Sequence, residues 1–228
     1  MHLKIAPSLM SANLLDIRSE LAALDNVADY YHVDIIDWHY VKNMCLTPQF
    51  ISAMRTATNR PIEAHLYVDN VDEMLINTCL DAGASIITLP ADVVGRSVNR
   101  YANLVHRRKA QFGIFLNPSQ PVETIEPYAS TLDTLLILSV DPGFGGQDFI
   151  PTTYGRIKKA VEIRNCLECS YQIAIDGNCN ESRFLPLAQA GADAFSLGRG
   201  LFGRNADTKR AGELTKKSMT DVEAKLRA

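Results

Sequence analysis

Residues 31–43, YHVDIIDWHYVKN, place an imidazole and a carboxylate two positions apart, His32 and Asp34, inside an apolar run. A second pair in reverse order, Asp37 and His39, follows at once. Alternate residues of a strand project to one face, so His32 and Asp34 point the same way. A buried ionised group is costly unless it is paired. His65, in the run PIEAHLYV, and Asp176, at the end of YQIAID, occupy comparable positions. Each of the four has an ordinary explanation by itself: a lone strand histidine is commonly a hydrogen-bonded core residue, and a buried aspartate commonly caps a helix or pairs with arginine. Brought together, two imidazoles and two carboxylates make a mixed N/O donor set. Such a set suits Zn2+, Fe2+, Mn2+ or Co2+, and spacing does not choose among them.

A second kind of chemistry is written in glycines. VDPGFGGQDF, at 140–149, carries Gly143, Gly145 and Gly146 after an apolar run. DGN at 176–178 and LGRG at 197–200 follow two later runs and bring Gly177, Asn178, Gly198 and Arg199. One such turn reflects turn geometry alone. Three in succession, with backbone N–H groups left accessible, can cradle an anion.

The elements that must position these groups are legible as alternation. Apolar strand-like runs occur at 3–8, 30–36, 61–68, 84–89, 112–117, 133–140, 171–176 and 192–198. Amphipathic helical patterns lie between them, for example LLDIRSELAALDNV, NVDEMLINTCLDAG and YGRIKKAVEIRNCLE. In the first, Leu14, Ile17, Leu21 and Leu24 are spaced to line one helix face. Strands alternating with helices pair in parallel through right-handed crossovers. Eight such units in 228 residues fit a (β/α)8 TIM barrel, with a doubly wound open sheet as the runner-up. Barrel catalytic groups come from the C-terminal ends of several strands, and His32, Asp34, His65 and Asp176 fall at such ends. DAGASIITL and QAGADAFSL repeat one arrangement, helix end, glycine and strand. No linker or composition shift divides the chain, so one barrel domain spanning 1–228 is expected.

Composition narrows the possible partners. With 46% hydrophobic residues, 21% charged residues and a net charge of −3, the chain has no overall attraction to nucleic acid or an anionic membrane. No secretory pattern opens it and no apolar run is long enough to cross a bilayer, so a cytoplasmic location is expected. The five cysteines are scattered; Cys166 and Cys169 form a C-x-x-C without a second pair, and incidental reduced thiols are expected.

The blocks IAPSLMSANL, HVDIIDWHYVKN, AHLYV, LNPSQPVETI, VDPGFGGQDFIP, IDGNCN and GRGLF together resemble the ribulose-phosphate 3-epimerases nearly end to end. LNP, VDPGFGGQ, DGNCN and GLF look closest to the D-allulose-6-phosphate 3-epimerase branch. The resemblance implies a barrel of the ribulose-phosphate-binding type and one divalent metal, with Mg2+ added to the ions above. Position by position, His32, Asp34, His65 and Asp176 match metal ligands, and Asp34 and Asp176 also match the acid/base pair. Ser8 matches a substrate contact. Tyr67, Leu138 and Asp141 fall at substrate positions, and Gly145, Gly146, Gly177 and Gly198 fall in phosphate loops, where Gly143, Asn178 and Arg199 are neighbours. The implied activity is 3-epimerisation of a ketose phosphate through a cis-enediolate stabilised by the metal. D-Allulose 6-phosphate to D-fructose 6-phosphate is the first expectation. Alternatives are D-ribulose 5-phosphate to D-xylulose 5-phosphate, a paralogue acting on another ketulose phosphate, a metal-independent barrel isomerase or decarboxylase, and a non-catalytic sugar-phosphate sensor. The expected partner is a small phosphorylated ketose, with a homo-oligomer expected and neither nucleic acid nor membrane.

The chain departs from the family pattern at informative places. Ile36, Tyr67 and Leu138 stand where Met is usual, Trp38 where Gly is usual, Lys42 where Pro is, and Pro90 where His is common. Arg199 replaces a small residue, often Ser, and a guanidinium there can clamp phosphate. Replacing adaptable thioethers alters a pocket's shape and polarity. With Trp38 expected to narrow the mouth and Tyr67 to add a hydroxyl, the expected outcome is retained epimerase chemistry on an altered or broader substrate.

Overall fold

Every apolar run becomes a strand: β1 Lys4–Pro7, β2 Tyr31–Ile36, β3 Ile62–Tyr67, β4 Ile86–Pro90, β5 Gln111–Leu116, β6 Thr134–Leu138, β7 Gln172–Asp176 and β8 Ala194–Leu197. This is a computed structural model, and it describes residues 2–227. The strands pair in parallel in the order β1-β8-β7-β6-β5-β4-β3-β2. A single parallel bridge, Ser8 to His32, joins the two ends of that sheet and closes the barrel. β2 and β3 are buried at every position, because one face meets the barrel interior and the other meets helices.

The helices are α1 Ile17–Leu24, α2 Pro48–Arg55, α3 Glu73–Asp81, α4 Ala91–Val94, α5 Val98–Arg107, α6 Thr153–Cys166, α7 Glu181–Ala190, α8 Arg199–Phe202 and α9 Thr208–Arg227. Local chemistry starts and stops them. Thr47 caps α2 by accepting from the Phe50 N–H, with Pro48 at the first helical position. Asp72 caps α3 by accepting from the Leu75 N–H at 2.7 Å. Gly83 and Gly191, with φ of 106° and 114°, supply the left-handed turns after α3 and α7, which accounts for the repeated helix-end, glycine, strand pattern.

Two local expectations are corrected. Leu14 is not on a helix face: Asn13 accepts from the Leu15 N–H, Leu14–Asp16 form a 3-10 turn, and Leu14 is 48% exposed. The crossover from β5 to β6 is the 3-10 segment Val122–Thr131 rather than an α-helix, and it contains Pro127, which cannot donate to an α-helical ladder. The Cys166 and Cys169 thiols are free, as are the other three. Among the described residues no helix is long and apolar enough to cross a membrane.

The larger core lies between strands and helices. A smaller cluster inside the barrel includes Ile36, Tyr67, Phe115, Leu136 and Leu138, so the barrel interior is packed there rather than open as a pore.

Candidate active site

Register brings the candidate ligands together. In the β2–β3 ladder Asp34 is opposite His65, and in the β6–β7 ladder Asp176 is opposite Leu138. Across the barrel, ligand atoms of His32, Asp34, His65 and Asp176 all lie within 4.8 Å of one another. His32 Nε2 is 3.0 Å from Asp34 Oδ1 and 3.8 Å from Asp176 Oδ2. His65 Nδ1 is 3.3 Å from Asp34 Oδ1, 3.9 Å from Asp176 Oδ2 and 3.0 Å from His32 Nε2. Asp34 also accepts from the Ser8 hydroxyl at 2.9 Å.

Beneath this layer, Glu63 Oε2 lies 2.6 Å from His32 Nδ1, and the Thr88 hydroxyl donates to Glu63 Oε1 at 2.6 Å. Ser196 Oγ lies 3.2 Å from the same His32 nitrogen. Glu63 and His32 are both 0% exposed. A carboxylate can only accept, so His32 Nδ1 carries the proton toward Glu63. When the ring is neutral, its Nε2 lone pair faces Asp34 and His65, where acceptors meet acceptors unless a proton or a metal ion lies between them. That convergence of lone pairs calls for a cation, and the N/O donors fit a divalent ion.

Electrostatics express the same demand. Burial disfavours the His32 imidazolium, yet the Asp34 and Glu63 carboxylates outweigh it and hold the ring well above the ordinary histidine value. Burial would raise the Asp34 carboxyl, but His32 and His65 hold it below the usual carboxylate range. Glu63 is lowered in the same way, His32 overriding its burial. Asp176 goes the other way: burial raises it, and Asp34 adds to the rise against the pull of the imidazoles.

A cavity of about 320 Å3 opens over the cluster. Ser8, Asp34, Ile36, Tyr67 and Asp176 form its inner wall. Tyr67 donates to Asp176 Oδ2 at 3.3 Å and packs on His65, ring centroids 4.2 Å apart. The outer wall takes Asp141, Gly143, Gly145 and Gly146 from the loop after β6, with Gly177 and Asn178 after β7 and Gly198 and Arg199 after β8. Arg199 is exposed, and its guanidinium makes no hydrogen bond or ion pair with any described residue. His32 and His65 stand behind the wall at 0% exposure. Leu138 is placed differently from the other expected substrate residues: it packs in the barrel interior and is not part of the wall. Trp38, 53% exposed, also lies off the wall. Asp37 organises the loop around it, accepting from the N–H groups of His39, Tyr40 and Asp69.

Sequence reasoning overlooked two residues here. Glu63 was hidden in the apolar run PIEAHLYV, although period-two spacing puts it on the same face as His65 and Tyr67. Gly200 lines the cavity, and a Cβ there would lie 1.8 Å from the Cys179 carbonyl oxygen. Only glycine lets α8 approach the loop after β7 that closely, and nothing in LGRG separates that need from a turn.

A parallel eight-stranded barrel with an imidazole–carboxylate cluster at its mouth, and a glycine-lined cradle alongside, defines a barrel enzyme acting at the C-terminal ends of its strands. More particularly, residues 4–202 match the model of the ribulose-phosphate 3 epimerase family, and the chain belongs to that family of isomerases. It is 34% identical over 206 residues to ribulose-phosphate 3-epimerase 1 of Cupriavidus necator, covering 88% of this chain and 85% of the relative. Its similarity to the ribulose-phosphate 3-epimerase of Escherichia coli K12 is 34% over 203 residues, 87% of this chain and 88% of the relative. The Bacillus subtilis enzyme of the same name is 30% identical over 214 residues, 93% and 98% of the two chains. Among solved structures, KGPDC from Streptococcus mutans superposes with a TM-score of 0.74 at 11% identity, covering 97% of this chain and 99% of that one. The 3-hexulose-6-phosphate synthase of Salmonella typhimurium gives 0.72 at 12%, with 96% and 100% covered. These two likenesses show the barrel fold.

Proposed function

We propose that this isomerase inverts C3 of a ketose phosphate and that D-ribulose 5-phosphate, interconverted with D-xylulose 5-phosphate, is its first substrate. The observation that carries the reading is the pair of cavity-wall carboxylates, Asp34 on β2 and Asp176 on β7, which meet His32 and His65 at the barrel mouth. Inversion requires one group to take the C3 proton from one face and another to return a proton to the opposite face. Asp34 and Asp176 come from different strands and both border the cavity, so they can serve as that pair. His32, Asp34, His65 and Asp176 would hold a divalent ion, which supplies electrostatic stabilisation for negative charge developing on the substrate oxygens. Ser8 steadies Asp34 by its hydrogen bond, and the Tyr67 hydroxyl steadies Asp176. Backbone N–H groups around Gly146, Gly177 and Gly198, together with the unpaired Arg199 guanidinium, would hold the phosphate and fix the substrate's register.

The sequence blocks resemble the D-allulose-6-phosphate branch most, whereas the relatives from Cupriavidus necator, Bacillus subtilis and Escherichia coli carry the ribulose-phosphate name. The hexulose phosphate therefore becomes the second substrate in the test. Purified protein would be assayed on both ketose phosphates, with deuterium incorporation at C3 followed in deuterated water. Exchange and epimerisation, lost on chelation and restored by a divalent ion, are expected. Binding without C3 exchange would identify a sensor, and full activity after rigorous metal removal would sink the metal-dependent reading. Faster turnover of D-allulose 6-phosphate would reverse the substrate order.

A further inference from the structure

The β2–β3 ladder carries more ionisable chemistry than the proposed reaction uses. On its inward face, His32 is opposite Glu63 and Asp34 is opposite His65. The four groups form a checkerboard, imidazole beside carboxylate in both rows, and neighbouring side chains on one face of a sheet interact directly. In the upper row Asp34 borders the cavity and His65 stands behind the wall. Glu63, in the lower row, is 0% exposed and does not border the cavity, so it cannot touch substrate. A carboxylate buried that deeply is expensive unless each oxygen is satisfied. Here Oε1 takes the Thr88 hydroxyl and Oε2 takes His32, both at 2.6 Å, in the short range of charge-assisted hydrogen bonds. His32 is its one ion-pair partner among the described residues.

We propose that Glu63 is a positioning residue of the metal centre. It fixes the His32 ring so that Nδ1 is protonated and Nε2 is presented to the ion, and it adds a third carboxylate charge behind Asp34 and Asp176. A carboxylate behind a ligating imidazole both orients the ring and strengthens it as a donor. His65 has no such support: its Nε2 is buried without a partner, and the ring edge lies on Phe115 with centroids 4.6 Å apart. Glu63 therefore makes His32 the anchoring imidazole and leaves His65 the weaker one. Thr88 locks the Glu63 rotamer from β4, which extends the support across three consecutive strands.

This inference rests on the metal-dependent reading above, and its test separates the two. Metal-free protein would be titrated with Co2+ against a competing chelator, the visible Co2+ spectrum reporting ligand geometry. Glu63→Gln keeps a hydrogen-bond acceptor for His32 and removes the charge; Glu63→Ala removes both. Metal affinity should fall by about tenfold in the first variant and by up to about 100-fold in the second, with an altered Co2+ spectrum in the second. Folded variants that bind Co2+ as tightly as wild type, even with lowered melting temperatures, would show a structural role alone and overturn the proposal. A measurement on wild type decides the matter if a variant does not fold. Nitrogen chemical shifts of His32 in Zn2+-loaded protein should show Nδ1 protonated and Nε2 bound to metal, and the reverse assignment would refute Glu63 as positioner. Wild type that takes up no divalent ion would overturn the metal reading itself and this inference with it.

Discussion

The two ends of the cavity are built on opposite plans. At the inner end every donor is a side chain on a strand: His32 and Asp34 on β2, His65 on β3 and Asp176 on β7, with side-chain exposure from 0% to 18%. Hydrogen-bonded register fixes each of them, and Ser8, Glu63 and Tyr67 hold them from the sides. The outer end is made of loops. Its groups are glycine backbone after β6, β7 and β8 and one exposed guanidinium, Arg199, that the protein does not pair. Strand positions give the sub-ångström placement that proton transfer needs. Loop backbone needs only to present N–H groups to an anion, and it tolerates more variation. Substitutions should accordingly separate turnover from substrate affinity.

The largest effect is expected at the inner end. Asp176→Asn keeps the shape and removes one proton-transfer group, so turnover should fall by about 10²–10⁴-fold. C3 deuterium exchange should vanish while the melting curve stays cooperative, and normal exchange would break the assignment. Arg199→Ser tests the outer end. Because the Arg199 guanidinium makes no hydrogen bond or ion pair among the described residues, its loss should spare stability and kcat while raising KM by about tenfold, the order of one charge-assisted hydrogen bond. Unchanged KM would place the phosphate elsewhere. Tyr67→Phe lies between the two ends and removes only the 3.3 Å contact to Asp176. A neutral hydrogen bond contributes about 1 kcal/mol, so kcat should change by less than about tenfold. A loss comparable to that of Asp176→Asn would promote the Tyr67 hydroxyl to the chemistry.

The smallest effect is a control from the far side of the barrel. His2 bridges Asp29 at 2.8 Å and Glu223 at 3.1 Å, tying the start of the chain to α9. Its hydrogen bond to Asp29 raises its pKa from 6.5. A raised histidine pKa contributes stability fully below 6.5 and loses it as pH rises through the folded value. The melting temperatures of wild type and His2→Gln should therefore differ most in mild acid and converge at higher pH, with kcat unaffected. A gap that widens with pH would show the bridge working with the opposite sign.

Much of the inner end was legible in the sequence because strand periodicity is local. His32 with Asp34 can be read from spacing alone, and His65 and Asp176 from their places at the ends of apolar runs. Glu63 was not read, since a single carboxylate in an apolar strand acquires meaning only when register sets it opposite His32. Leu138 shows the converse. Its position in the chain matched a pocket residue, but its side chain shares the packed interior with Leu136, two residues earlier on the same face. At the outer end the glycine loops were visible as composition, yet the close approach of Gly200 to Cys179 depends on two strand–helix units meeting in space. Leu14 was misplaced because Asn13 captures the backbone locally before the helix begins.

The closure of the barrel acquires a different significance beside the chemistry. Ladders join every neighbouring pair of strands except β1 and β2, whose seam is one bridge from Ser8 to His32, reinforced by the Ser8 hydroxyl on Asp34. The ring is thus clasped by the residues that would grip the ion. Loading the ion would fasten β2 and β3 to β7 across the barrel and, through Ser8, draw in β1. An ion bound there would therefore stabilise the closed ring as well as the site, as any ligand of the native state does.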